Sequence, residues 1–224
     1  MLTRTVCRLM IVLIALVGCG RGGTREAAAT ITAAAIPPAW QPLTLESLSL
    51  ALPPGWSAIT SAEVDLAPAV EAMSQHNPHL AALLRAGEEA LRQGQIEVIA
   101  YDLEAAAAMG QPLPASLRIG TQPYSAAPDP QRLAEANVQQ LRATPGFSNI
   151  EHTTVLIGDV PAARLRSTLT ISDTEYQPLT LLNEQYLLVG GTQAHLLSFT
   201  LAPNSQPHYR PIIDQILSTL RLTP

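Results

Sequence analysis

Two histidines three positions apart, His76 and His79, are a spacing at which imidazole nitrogens could bind a divalent metal. Between them, however, Asn77-Pro78 reads as a helix start, with Asn77 as cap and Pro78 at the first helical position. The two rings then need not converge, and no nearby Asp, Glu or His completes a ligand sphere. A solvated cap is the expectation, and a metal carrier through His76 and His79 is a rival reading. His195 alternates with Leu197, Phe199 and Leu201 on one face of a strand pattern. A base could sit there, although a lone histidine on such a face is more often a packed residue with its nitrogens satisfied. Arg164 and Arg166 also share the outer face of one strand. Paired guanidinium groups recognise carboxylates or phosphates, but two arginines on a strand also make an ordinary charged sheet face or edge.

The remaining polar residues do not assemble into a known reaction. Ser57, Ser198 and Ser218 lack the Gly-x-Ser-x-Gly turn that exposes a nucleophile. Glu88-Glu89 falls opposite the leucines of its helix, where solvation explains it. Glu97 and Asp102 lie on opposite faces of their strand by parity, so they are a poor acid/base pair. No glycine-rich phosphate loop occurs, and every basic side chain is arginine. Without lysine there is no Schiff-base chemistry and no Walker-type phosphate lysine. No cofactor is implied and no catalytic set is visible. A non-catalytic protein is therefore expected, with an envelope hydrolase whose site is assembled only by folding as the alternative.

The two cysteines, Cys7 and Cys19, both lie near the N-terminus. Arg4 and Arg8 precede an apolar run from Leu9 to Val17, and Gly18-Cys19 follows. A basic start, a short apolar run and small residues at its end make a secretory signal. The run falls short of the roughly 20 apolar residues that span a bilayer. Leu16-Val17-Gly18-Cys19 resembles the bacterial lipobox, which implies cleavage before Cys19 and a diacylglycerol thioether on its sulfur. Each buried methylene contributes about 0.8 kcal/mol, and stable anchoring generally takes two chains. A diacylated cysteine supplies two.

That reading divides the chain into a signal peptide (1–18), a lipidated cysteine with a flexible tether (19–40) and one domain (41–224). The tether expectation rests on Gly, Ala and Thr without apolar periodicity. Once Cys7 leaves with the signal, no thiol is left for a disulfide, a nucleophile or cysteine-bound zinc. Losing Arg4 and Arg8 takes 13 basic residues to 11 against 18 acidic ones, so the mature charge is −7. Such a surface does not favour nucleic acid or anionic headgroups.

The elements that would position these residues follow from periodicity and turn chemistry. Leu48, Leu50 and Leu52 alternate with Ser47, Ser49 and Ala51 in a half-buried strand from Thr44, ended by Pro53-Pro54-Gly55. Leu80, Leu83, Leu84 and Leu91 share a helical face that stops at Gly94. Gln95–Leu103 is apolar on both faces and is expected to be a covered strand. Ser116–Thr121 is a shorter one. Asp129-Pro130 caps a helix bearing Leu133, Ala134, Val138 and Leu141, and Pro145-Gly146 breaks it. A meander of strands is then predicted over 148–157, 162–172, 179–189 and 193–201. Its turns fall at Gly158-Asp159, Ser172-Asp173 and Gly190-Gly191. From Ser205, the residues Tyr209, Ile212, Ile213, Ile216, Leu217 and Leu220 form a helical stripe. The fold class is α+β, a mostly antiparallel β-sheet flanked by helices.

Several short motifs, in this order, resemble the PsbP/Mog1-like family. Leu52-Pro53-Pro54-Gly55-Trp56 looks like its strand and Pro-Gly-Trp corner. Ile157-Gly158-Asp159-Val160-Pro161-Ala162-Ala163-Arg164 looks like its hairpin. Gln185-Tyr186-Leu187-Leu188-Val189 and Leu196-Leu197-Ser198-Phe199-Thr200 look like the next two strands. Ile213-Asp214-Gln215-Ile216-Leu217-Ser218-Thr219-Leu220-Arg221 looks like the closing helix. The resemblance covers roughly residues 44–222. It implies an antiparallel sheet sandwiched by helices, and accessory or partner-binding roles rather than catalysis. The Ala-rich stretch around 61–93 departs from the pattern by its length. The expectation is a lipid-anchored module at the extracytoplasmic face of the cell membrane. It would bind an unknown protein or small-ligand partner, with Arg164, Arg166 and His195 as candidate ligand contacts.

Overall fold

The computed structural model describes residues 29–60, 78–109, 113–171 and 178–223. Cys7, Cys19, His76, Asn77 and the Ser172-Asp173 turn lie outside them, and of His79 only the backbone is described. The chain opens with four short strands, β1 (Ala29–Ile31), β2 (Gln41–Thr44), β3 (Leu48–Leu52) and β4 (Trp56–Thr60). Next come α1 (Pro78–Arg92), β5 (Val98–Asp102), α2 (Leu103–Ala108), β6 (Ala115–Pro123) and α3 (Pro130–Ala143). The second half holds β7 (Phe147–Ile157), β8 (Val160–Ile171), β9 (Leu179–Gly190), β10 (Gln193–Leu201), α4 (Gln206–Ser218) and β11 (Arg221–Leu222).

The main sheet has the order β1-β7-β8-β9-β10-β6-β5-β4. Every pair in it is antiparallel except β1 with β7. A small antiparallel sheet, β11-β3-β2, packs with α4 over one face of the large one. Helices α1 and α3 cover the other face. The α+β class with a mostly antiparallel sheet and flanking helices is therefore what the chain adopts.

Alternation in each strand assigns its residues to the two faces. Val98, Ala100, Leu117, Ile119, Tyr186, Leu188, Leu197 and Phe199 point toward α4, where Tyr209, Ile213, Ile216 and Leu217 meet them. Fully burying one such aliphatic side chain contributes roughly 1.5–3 kcal/mol. The opposite parity places Ile99 and Tyr101 under α1, and Leu165, Leu187 and Ala194 under α3. Helix α3 starts as its sequence predicts: the Asp129 carboxylate accepts from the backbone N–H of Gln131 (2.9 Å) and Arg132 (3.4 Å), and Pro130 follows. Gly94 closes α1 at φ +64°.

Four differences from the sequence reading have local causes. The end of the expected tether is bound to the domain from Ala29, where β1 covers the outer edge of β7 over Val155, Leu156 and Ile157. Strand β1 pairs with β7, the Gly158 N–H donates to the Ile31 carbonyl (2.8 Å), and the Ala34 N–H donates to that of Ser218 (2.9 Å). Three residues are too few to show a period. The strand expected from Thr44 begins only at Leu48, as β3, because Thr44 ends a separate strand, β2, that folds back on it. Strand β4 and helix α2 had no sequence expectation. The strand predicted to reach Leu103 ends at Asp102, whose carboxylate accepts from the Ala105 N–H (3.1 Å) and starts α2.

Candidate functional site

Two polar regions lie on opposite faces of the sheet. The first contains Arg164 and Arg166, which share a face as their parity predicts. That face is the one under α4, and β8 is an interior strand between β7 and β9, not an edge. Arg164 Nε donates to Glu184 Oε1 (2.6 Å), and Arg210 Nη1 from α4 donates to the same oxygen (2.7 Å). The Tyr186 hydroxyl donates to it as well. Arg166 stands farther off, with Nε 3.6 Å from Glu184 Oε2. Arg210 also holds Asp214 one helical turn along, Nε to Oδ2 at 3.0 Å. Burial alone raises the Glu184 pKa, but hydrogen bonds from Arg164 and Tyr186 and the charges of Arg164 and Arg210 outweigh it and hold the carboxyl below its ordinary range. The Arg164 side chain is only 12% exposed and the Glu184 side chain 9%. The cluster is a buried lock between sheet and helix, and Arg164 is engaged within it.

His195 is on the same face and almost fully buried. Its Nδ1 lies 3.2 Å from Thr121 Oγ1, and burial lowers its pKa. Among the described residues no carboxylate meets the ring. Asp102, on this face too, accepts from the Tyr209 hydroxyl (3.1 Å), while Glu97 stands on the other face, as parity predicts. Among the described residues no group of His, Cys, Asp or Glu is placed to hold a metal, and no helix is long and apolar enough to cross a membrane.

The second region is a cleft between the C-terminal end of α1 and helix α3, with a volume of about 400 Å³. Pockets of roughly 300–1,000 Å³ accept small molecules. Its floor is Gly120, Ala194, Leu196 and Leu187, and Leu133 and Ala136 of α3 form one wall. Five amide side chains, Gln93, Gln95, Gln122, Asn137 and Gln140, supply the polar lining. Amides both donate and accept, so this lining matches a polar, hydrogen-bonding ligand.

Strand register continues that floor into two polar rows. Ile99, Arg118, Ser198, Gln185 and Leu165 are cross-strand neighbours from β5 through β6, β10 and β9 to β8. In the next row stand Tyr101, Ser116, Thr200, Asn183 and Ser167. Asn137 Nδ2 donates to Gln185 Oε1 (2.8 Å), tying the cleft wall to the first row. The Asn183 amide donates to Ser198 Oγ (2.9 Å) and Thr200 Oγ1 (3.2 Å). Four buried atoms of these rows have no hydrogen-bond partner among the described residues: Tyr101 Oη, Arg118 Nε, Ser167 Oγ and Asn183 Oδ1. Native interiors contain few such groups, and Trp56 Nε1, Tyr124 Oη, Arg164 Nη2 and Arg166 Nε are unpaired elsewhere in the fold. Burial pushes the Tyr101 pKa up to about 12, partly offset by the Arg118 charge.

None of the cleft residues carries a sequence motif. The alternation of Leu117 and Ile119 does imply that Arg118 and Gly120 face the other way. Finding the cleft requires knowing that β6 is inserted between β10 and β5.

No protein-family model matches the chain, and no curated protein matches it. Among solved structures it is similar to a protein from Bacteroides thetaiotaomicron at 14% identity and a TM-score of 0.42, covering 79% of this chain and 45% of that one. It is also similar to the cyanobacterial PsbP (CyanoP) of Synechocystis, at 10% identity and a TM-score of 0.46, over 92% of this chain and 98% of that one. LpqN, a protein involved in cell envelope biogenesis of Mycobacterium tuberculosis, aligns at 13% identity and a TM-score of 0.47, over 83% and 91% of the two chains.

Proposed function

We propose that this chain is a non-catalytic binding module, held at the extracytoplasmic face of a membrane by lipid on Cys19, and that it takes its ligand in the cleft between α1 and α3. The cleft is the observation that carries the reading: an open hollow of about 400 Å³ on the helix-covered sheet face, lined by five amide side chains. The anchor is supported by the N-terminal residues, where Cys19 follows an apolar run too short to span a bilayer.

The cleft is tested with Ala136→Trp, which fills it from a half-exposed position on α3. The full chain, extracted from membranes in detergent after crosslinking, is expected to carry a specific partner or ligand that the Trp variant lacks at equal thermal stability. Identical recovery by both proteins would sink the cleft as the seat. The anchor is tested with Cys19→Ser and with globomycin, which blocks lipoprotein signal cleavage. Soluble release of the variant supports lipidation, and unchanged membrane retention counts against it.

A further inference from the structure

A second hollow, of about 50 Å³, lies on the other face of the sheet, where the first half of α4 covers β8, β9 and the end of β10. One water needs roughly 10–15 Å³ of such space, so the hollow has room for a few waters or one small oxyanion. The charged residues that line it are Arg166, Arg210 and Glu184, two cations facing one anion. Gln206, the first residue of α4, lines it as well, so the positive end of the helix dipole stands at the same place.

These charges are only partly spent on one another. Glu184 Oε1 accepts from Arg164, Tyr186 and Arg210. Glu184 Oε2 accepts from no described residue, and Arg166 Nε stands 3.6 Å from it, beyond hydrogen-bond distance. Arg166 makes no hydrogen bond to a described residue, and its Nε–H is buried without an acceptor. Its side chain is 41% exposed, so the hollow reaches solvent along it. Glu151, opposite Arg166 on β7, is exposed and makes no ion pair with a described residue. A guanidinium stays charged at every physiological pH. Glu184 stays charged as well: against burial, which raises it, hydrogen bonds from Arg164 and Tyr186 hold the carboxyl below its ordinary range. The hollow therefore presents a guanidinium fork and, beside it, a carboxylate oxygen able to accept one more bond.

We infer that this hollow binds inorganic phosphate, with two of its oxygens on the Arg166 fork and its P–OH donating to Glu184 Oε2. Phosphate oxygens and a guanidinium match as a pair of parallel bonds, and the positive helix end favours the same charge. The carboxylate then selects among anions. An ionised carboxylate only accepts, so it repels an anion that has no proton to donate. Phosphate keeps at least one proton in neutral and mildly basic solution, whereas sulfate has none and a phosphate monoester loses its last proton near about pH 6. The site lies on the sheet face opposite the cleft and does not depend on it.

The test is calorimetric titration of the detergent-purified full chain with inorganic phosphate, sulfate and glycerol 3-phosphate, at about pH 8 and constant ionic strength, where all three are essentially dianions and only the first carries a proton. Phosphate is expected to bind at least about tenfold more tightly than either, the worth of one hydrogen bond to a charged acceptor. Arg166→Gln should weaken phosphate binding by a similar factor, and Arg166→Lys, which keeps the charge and loses the fork, should fall between that variant and the unchanged protein. Thermal unfolding of both variants identifies any loss due to misfolding, and the comparison of the three dianions needs no variant at all. Ala136→Trp, in the cleft, should bind phosphate as the unchanged protein does. Equal binding of the three dianions overturns the inference, as does indifference to Arg166→Gln. Absence of phosphate binding also overturns it.

Discussion

Arg210 of α4 reaches Glu184 of β9 across the sheet–helix boundary, Nη1 to Oε1 at 2.7 Å, making one buried carboxylate oxygen the point where helix and sheet are joined. Arg164 and Tyr186 donate to that oxygen from the sheet side. Replacing Glu184 with Gln leaves two guanidinium groups facing a neutral amide. Breaking a buried pair by removing one partner costs about 3–5 kcal/mol, and partial exposure of Arg210 places this case at the lower end. Glu184→Gln is expected to lose about 3 kcal/mol in urea unfolding, with little change in the slope. A loss under about 1 kcal/mol would show that the cluster is ordinary surface pairing.

The acid limb of stability should fall in two separate windows. His195 has its pKa lowered by burial from the ordinary 6.5, so the unfolded chain binds that proton more readily. Its contribution is complete above about pH 6.5 and is lost as pH falls below that. Glu184 is depressed below the ordinary 4.5, so its contribution is present above about pH 4.5 and disappears as pH falls through the folded value. Midpoints of unfolding measured from pH 8 to 3 should drop in both ranges. His195→Gln should flatten the upper range only, and Glu184→Gln the lower only. A variant that flattens the other's range would refute the assignment.

Gly146 provides a backbone test of the turn between α3 and β7. Its φ is +92°, and a Cβ there would stand 2.6 Å from the Thr170 carbonyl oxygen. Gly146→Ala therefore combines left-handed strain with a backbone clash. A residue forced into a sparsely populated backbone region costs about 1–3 kcal/mol. The expected outcome is a loss of at least about 2 kcal/mol by denaturant unfolding, and a neutral result would contradict the turn geometry.

Local chemistry was legible in the sequence and long-range pairing was not. Asp129-Pro130, the alternation of Leu197 with Phe199 and the stripe from Tyr209 to Leu220 each encode an element within a few residues. Their structures follow from caps and periodicity. Strand β1 and helix α2 are too short to carry a period. The Arg164–Arg166 face was readable by parity. That Glu184 and Arg210 fill that face depends on the β8–β9 register and on where α4 crosses. Likewise Arg118 and Gln185 become near neighbours only because β10 lies between β6 and β9.

The polar rows beside the cleft floor make a prediction for stability. Tyr101 is 1% exposed, and its hydroxyl has no hydrogen-bond partner among the described residues. Leaving a buried polar group unsatisfied costs about 1–3 kcal/mol, so Tyr101→Phe, which keeps the ring, should be neutral or stabilise the fold by up to about 1 kcal/mol. Ser167→Ala, at the far end of the same row, should behave likewise. Arg118, whose buried Nε is also without a partner, should show the same sign: Arg118→Met is expected to raise the melting temperature. Thermal melts of the three variants check this. A clear drop in the melting temperature for both Tyr101→Phe and Ser167→Ala would mean that these hydroxyls are already satisfied.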